Sequence, residues 1–470
     1  MKIAIIGAGL AGLSAAWQIH ALNPDAAVDV FEATDRIGGK LYTVAFAAGP
    51  TDMGAEAYLA YRKDATEFFA ELGLSESLVA PSGLPSQIYS GGSCHALPTD
   101  TVMGIPRDAA SVATLVDAAT AERITAEAAA PPLEWVAGET DMTVGQLVRQ
   151  RFGDQIADRI VSALQGGVYS ATADDLGLRA TLPQVAQALD ELAVAGQPVT
   201  LSAAVTGLVN ARNAQSQSYN SQVFATFANG YAELYEALAE QSRARIHIDA
   251  FISSVTKTPN GFALSGAGDG VYDHVIFATP APTTAMLLKT IAPDAVAPLK
   301  SIRLASSVVV GMKFADDTGL PDYSGILVAA DEEDITAKAF TFASKKWPHL
   351  AARGGALVRA SFGRFGDDAI TRADEDYLVD CALDDLQKIT GFDGRAAGLD
   401  EIYVQRWFGG LPVFSPDHPE AVAAVTAIID RTPGVSVTGA WCAGVGVPAV
   451  IEHARATARS VVSGAGDPTS

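Results

Sequence analysis

Cysteine is nearly missing from this chain. Three residues in 470, Cys94, Cys381 and Cys442, lie far apart and make no CxxC pair, so neither a disulfide framework nor a cysteine-rich metal site is expected. A reducing, cytoplasmic setting is the expectation that follows. Basic residues are also scarce: 32 Lys and Arg face 54 Asp and Glu, a formal charge of −22. That balance excludes nonspecific nucleic-acid binding and electrostatic attachment to anionic lipid, leaving only peripheral membrane contact through an apolar surface. No run approaches the ~20 apolar residues of a membrane span, and the apolar start is broken by glycines too early for a signal peptide. The seven histidines are scattered, and no HExxH, Ser/His/Asp or paired-carboxylate pattern stands out, so no metal and no hydrolytic site is expected. Charged residues make up only 18% against 49% hydrophobic, enough for a large core in two or three domains.

The first forty residues hold the densest pattern. An apolar run at 2–6 leads into Gly7-Ala8-Gly9-Leu10-Ala11-Gly12 and a helix-like stretch to 22; a second apolar run, 28–31, ends in Glu32. Strand, glycine turn, helix, strand and acid is the order of a βαβ dinucleotide site. Gly7 suits the tight turn, Gly9 the approach of a pyrophosphate, and Gly12 close packing of helix on strand. Glu32, twenty residues past Gly12, is placed to accept from a ribose 2′-OH.

Directly after the acid come Ala33, Arg36, the Gly38-Gly39 doublet and Lys40, and then Asp52-Met53-Gly54-Ala55-Glu56-Ala57. A nicotinamide enzyme has no need of a second Gly-Gly turn there. A long, extended cofactor does, because backbone must approach it along its ribityl and pyrophosphate, and FAD is the cofactor that fits.

Further along, a helix is expected at 63–72, capped by Gly73, and others at 108–130, at 143–164 with Thr143 as N-cap, and before 240. Residues 210–222 are polar and low in complexity and read as an exposed loop. Strands are expected at 245–248, 255–258, 261–265, 274–278, 304–314, 356–362 and 435–438. The end repeats a glycine-turn-to-helix junction, Gly444-Val445-Gly446-Val447-Pro448 before a helix at 449–462, so first and last segments are expected to share one sheet.

Two stretches are more specific than the glycines: Leu97-Pro98-Thr99 with Val102-Met103-Gly104-Ile105-Pro106, and Gly166-Gly167-Val168-Tyr169 with Leu178-Arg179-Ala180-Thr181. With Ala343–Pro348, Arg406-Trp407 and Leu411-Pro412, they make the chain resemble, over almost its whole length, the coproporphyrinogen/protoporphyrinogen oxidase family of the flavin amine-oxidase superfamily. The resemblance implies an α/β fold with added helices. A Rossmann-like FAD-binding domain of the flavin amine-oxidase type (1–75, 224–290 and 396–470) would be discontinuous. A mixed-sheet substrate domain (76–223 and 291–395) would carry a helical subdomain at about 100–210.

The resemblance also implies site residues. Val255 matches a position whose backbone meets the adenine, Trp407 an aromatic beside the flavin, and Val445, Gly446 and Val447 the far end of the cofactor. The reaction implied is removal of hydrogen from porphyrinogen methylene bridges, with O2 taking the electrons and H2O2 released, in haem synthesis. Gram-positive members act on coproporphyrinogen III, and the product is handed on towards a ferrochelatase. Protoporphyrinogen IX oxidation, another amine oxidase or desaturase, and a non-catalytic flavin protein are the alternatives. Propionates call for Arg and Lys, and Arg62, Lys63, Arg179, Lys345 and Lys346 are the candidates. No side chain is assigned as acid or base. The chain departs from the superfamily at Ala440, where an acid is common after the glycine, and at Val413-Phe414 after the Leu-Pro pair.

Overall fold

Strand β1 (Lys2–Ile6) is buried along almost its whole length, because parallel neighbours flank it on both sides. It passes through Gly7 into helix α1 (Leu10–Leu22), and the chain returns as strand β2 (Ala27–Phe31) beside β1. In the computed structural model, which describes residues 1–216, 223–268 and 270–464, this βαβ element belongs to a five-stranded parallel sheet. The order is Arg245–His247, β2, β1, His274–Phe277, Val435–Val437. The order reverses at β1, and the crevice beyond its carboxyl end is where such sheets bind ligands.

The chain divides into two compact units. The first is built from 1–80, 222–303 and 420–470. Its sheet carries Val435–Val437 from the far end of the sequence, as the glycine junctions led one to expect. The helix Val447–Gly464 packs Val450, Ile451, Ala454 and Ala458 into the core that also holds Leu13, Ala16 and Ile19 of α1. Arg455 fastens the two, donating to Gln18 Oε1 at 2.6 Å, pairing with Glu71 at 2.9 Å and lying over the Phe68 ring at 4.2 Å.

The second unit comprises 81–221 and 304–419. Its seven-stranded sheet is mixed, as expected: Gly325–Val328 runs parallel to Ser86–Ser90, while the other neighbours are antiparallel. The strands Leu304–Phe314 and Ala356–Phe362 have their expected bounds. The helical part gathers around Leu147, Phe152, Ile160, Val185 and Val205.

Three sequence expectations need correction. The helix expected at 108–130 is broken, because Asp108 and Asp117 each accept a backbone N–H and start separate elements, a short 3-10 turn at Ala109–Val112 and a helix at Ala118–Ala126. The helix expected at 143–164 begins as foreseen, with a full capping box between Thr143 and Gln146. It ends at Arg151, and after Gly153, at φ 98°, the chain resumes as a π-helical turn, Ile156–Val161, and a helix, Ser162–Tyr169. The loop expected at 210–222 is helical in its first part, since Leu201–Ser216 is one helix; residues 217–222 lie outside the described ones. Among the described residues, no helix is long and apolar enough to cross a membrane.

Candidate cofactor site

Each glycine of the first turn has a separate steric reason. Gly7 sits at φ 107°, and a Cβ there would come within 2.8 Å of the Ala278 carbonyl oxygen. At Gly12 a Cβ would lie 1.9 Å from the Gly7 oxygen, so only glycine lets α1 start this close to its own turn. Gly9 is different: its backbone is extended, and the nearest atom to an added Cβ is Gly39 Cα at 3.6 Å. Nothing among the described residues requires glycine there, and the space beside it is open to a ligand. Gly9 caps α1 without any side-chain acceptor, so the first-turn N–H groups of Leu10, Ala11 and Gly12 present the positive helix end to an anion.

Glu32 is held against this turn. Its Oε2 accepts the Ala8 N–H at 3.0 Å, and its Oε1 accepts both the N–H and the hydroxyl of Thr34 at 3.0 Å. A carboxylate has about four lone-pair positions, so one remains for a ribose hydroxyl. Ala33, next to it, is exposed. The backbone directly against this acid is His247–Ala250: Glu32 N–H donates to the His247 oxygen, and Ala250 N–H and Asp249 N–H donate to the oxygens of Glu32 and Thr34. Val255 lies further on, fully buried on the strand Ile252–Thr258, with its carbonyl accepting the Thr290 hydroxyl at 2.6 Å.

The Gly-Gly doublet packs onto the first turn. Gly38 N–H donates to the Ala8 oxygen at 2.9 Å, and a Cβ at Gly39 would come 2.9 Å from Gly9 Cα. Arg36 braces this loop from below, donating to the carbonyls of Ile37, Gly39 and Leu41, with its guanidinium 4.0 Å from the Tyr42 ring centroid. Lys40 is exposed as a residue, but desolvation of its ammonium lowers its pKa. An anion beside it would reverse that shift. Gly54 closes against Lys40, where a Cβ would stand 2.0 Å from the Lys40 oxygen, and half-buried Ala55, Glu56 and Ala57 follow. Sequence reasoning missed the clamp that holds this segment: Asp52 accepts from the Thr43 hydroxyl at 2.5 Å and from the Tyr231 N–H at 3.0 Å. The Asn229-Gly230 pair just before Tyr231 was the available signal.

At the last junction Gly444 adopts φ 113°, and Gly446 leaves open space around a would-be Cβ except for Pro448 Cδ at 3.9 Å. Val445 is half-buried beside them, and Val447 opens the final helix with its side chain in the core. This second helix start, like the first, is glycine-lined and belongs to the first unit.

In the second unit Trp407 is half-buried on the strand Leu399–Pro412. Of the basic residues named from the sequence, Arg62 and Lys63 belong to the first unit and Arg179, Lys345 and Lys346 to the second. Arg62 pairs with Asp64 at 2.8 Å and Glu452 at 2.7 Å, and Lys63 follows it at the start of its helix. Arg179 grips Asp190 with two nitrogens, at 2.8 and 2.9 Å, which holds the Asp190 carboxyl down at about 2. Lys345 pairs with Asp322 at 3.1 Å and Asp317 at 3.4 Å, and Lys346 lies 5.1 Å from the Trp347 ring centroid. Arg62, Arg179 and Lys345 are therefore already neutralised by the chain's own acids.

Comparisons with known proteins agree with this geometry. A family model described as flavin containing amine oxidoreductase matches residues 10–462. A coproporphyrinogen III oxidase from Mycobacterium tuberculosis (strain H37Rv) is 39% identical over 462 residues, covering 97% of this chain and 96% of that protein. One of the same name from Bacillus subtilis is 26% identical, covering 97% and 96%. Among solved structures, one from Exiguobacterium sp. 255-15, provisionally named a protoporphyrinogen oxidase, superposes with a TM-score of 0.84 at 25% identity, over 98% of each chain. The glycine cradle, the anchored acid and the full-length match agree: this chain belongs to the flavin-containing amine oxidoreductases and is an FAD-dependent oxidoreductase.

Proposed function

We propose that the protein oxidises coproporphyrinogen III to coproporphyrin III in haem synthesis, with O2 as electron acceptor and H2O2 as the reduced product. The full-length likeness to proteins bearing that activity in their name carries this reading. FAD, held by the residues of the cofactor site, would supply the two-electron redox chemistry between substrate and O2.

The chain's own residues bind and orient. On this reading the α1 N-terminus with Gly7, Gly9 and Gly12 holds the pyrophosphate, and Glu32 takes a ribose hydroxyl with the lone pair left to it. Arg36 keeps the Gly38-Gly39 loop in contact with the first turn, and Lys40 supplies a cation whose pKa an anion would restore. The glycines at 444 and 446 leave backbone free to approach the opposite end. No acid or base is assigned, since substrate orientation and water exclusion are what such a site must provide.

Incubation of the FAD-loaded protein with coproporphyrinogen III should give porphyrin fluorescence and peroxide faster than autoxidation. A rate equal to the enzyme-free control refutes the proposal. Protoporphyrinogen IX is separated by comparing kcat/KM on the two substrates, and a non-catalytic flavin protein by anaerobic mixing, which would leave its yellow absorbance unbleached.

A further inference from the structure

The second unit holds two buried or half-buried cations that its acids do not neutralise. Lys338 is 5% exposed and donates from Nζ to Ser170 Oγ at 2.7 Å and to the Gly363 oxygen at 2.6 Å. Arg364 follows Gly363 and makes one hydrogen bond, from Nη2 to the Val328 oxygen at 3.3 Å; its Nε–H is buried without an acceptor. Neither forms an ion pair among the described residues, and the nearest acid acting on both, Asp367, does so only at longer range. Desolvation, with Arg364 nearby, pulls the Lys338 ammonium down to about 7, and burial lowers Arg364 as well. Arg149, Arg151 and Arg179 of the same unit are, by contrast, tied to carboxylates. In a chain of charge −22, a guanidinium left unpaired in a poorly hydrated place carries a cost that an anion would relieve.

The surroundings show why this place differs from a random surface. A Cβ on Gly166 would stand 3.7 Å from Arg364 Nε, and Gly167 and Val168 beside it are exposed. Ser170 ends the helix in a left-handed conformation, φ 51°, held by Lys338 on its hydroxyl and by the Phe365 N–H on its carbonyl. A π-helical turn precedes this helix, a feature that recurs at functional sites. Gly104, of the other distinctive stretch, packs there too, where a Cβ would meet Leu164 Cδ1 at 2.9 Å and Ile160 Cγ2 at 3.0 Å. Both stretches that set this sequence apart thus converge on the helix beneath Arg364.

We propose that Arg364, positioned by Lys338, is the seat for a carboxylate arm of the substrate. The inference rests on the functional reading above, in which that arm is a propionate. Arg364 keeps the N–H donors of Nη1 unused, at an end of the guanidinium that matches a carboxylate's two oxygens. Lys338 acts through others: by tying Ser170 to Gly363 it fixes the loop that carries Arg364.

The test uses FAD-loaded protein with Arg364→Gln and Arg364→Lys, each checked for melting temperature and flavin spectrum. Coproporphyrin III and its detergent-solubilised tetramethyl ester are titrated by fluorescence, and turnover is measured on coproporphyrinogen III. Arg364→Gln should bind the acid about 10- to 100-fold more weakly, as loss of a charged hydrogen bond implies, with KM raised and kcat little changed. Ester binding should not change, and Arg364→Lys should recover part of the loss. Unaltered acid binding in Arg364→Gln, or an equal loss on the ester, overturns the site. A wild type that neither binds coproporphyrin III nor oxidises its porphyrinogen overturns the functional reading instead, and the site with it.

Discussion

Gly9 and Gly12 stand three residues apart in one turn, yet alanine at each should fail for different reasons. At Gly12 the added Cβ lies 1.9 Å from a backbone oxygen, and about 1.5 Å of movement is needed to reach ordinary contact at 3.4 Å. Overpacking of this kind costs about 1–3 kcal/mol, and a clash with backbone belongs at the upper end. Alanine returns about 1 kcal/mol through helix propensity, leaving a net loss of about 2 kcal/mol. At roughly 2–4 °C per kcal/mol for a unit of this size, Gly12→Ala should melt about 4–8 °C lower with or without FAD. At Gly9 the Cβ meets only Gly39 Cα at 3.6 Å, in a backbone conformation open to any residue. Gly9→Ala should therefore leave FAD-stripped protein within about 0.5 kcal/mol of wild type. The methyl group instead stands where the phosphates approach, and a loss of about 2–3 kcal/mol there weakens FAD by about 30- to 150-fold. Thermal melts of stripped and reloaded protein, with a fluorescence titration of FAD, measure both effects. Gly9→Ala protein that melts early without FAD, or that binds FAD as wild type does, would show that the two glycines have been assigned the wrong tasks.

Arg36→Ala should loosen the Gly38-Gly39 loop and weaken FAD about 10-fold, a charged hydrogen bond's worth, while the stripped protein melts nearly as before; a titration matching wild type would dismiss the brace. Arg151→Ala leaves Glu127, 2% exposed, without its guanidinium partner, and should cost about 3–5 kcal/mol in denaturant unfolding; a loss below about 1 kcal/mol would contradict the burial argument. Arg179→Gln should destabilise at neutral pH without raising KM for porphyrinogen, because Arg179 is spent on Asp190. The Asp190 carboxyl is depressed from 3.8 to about 2, so its contribution is complete above 3.8 and lost as pH falls towards 2. Wild type and variant should converge in stability over that interval, and a gap that persists at pH 2 would refute the pairing.

The nucleotide half of the molecule was legible because its constraints are local. Gly7, Gly9, Gly12 and Glu32 are fixed by spacing within a single βαβ element, and the observed β1, α1 and β2 differ from the reading by at most three residues at one end. Legibility failed where a cap interrupts apolar spacing, or where a side chain far away in sequence decides the outcome. Residues 108–130 had the apolar spacing of one helix, but two aspartates offered stronger starts inside it. The polar run from 210 looked like a loop by composition; its first part is helical in continuation of the Leu201–Ser216 helix, where Arg212 reaches the Thr101 carbonyl at 3.0 Å. The acidic partners of the candidate substrate cations were hidden for the same reason. Arg62, Arg179 and Lys345 stood in suggestive motifs, but sequence does not display that Glu452, Asp190 and Asp322 wait opposite them. Arg364 had no motif of its own, and its want of an ion pair among the described residues is visible only in the structure.

The final helix packs against the first one, with Arg455 reaching back to Gln18. During synthesis this has a temporal consequence. The amino-terminal turn emerges from the ribosome hundreds of residues before the helix that completes its core, so one face of α1 stays uncovered for most of translation. At about 5–20 residues per second that delay is tens of seconds, long enough for a chaperone to occupy the exposed face. A ribosome stalled before the helix Val447–Gly464 would carry a chain that has its glycine turn but lacks one side of the core behind it.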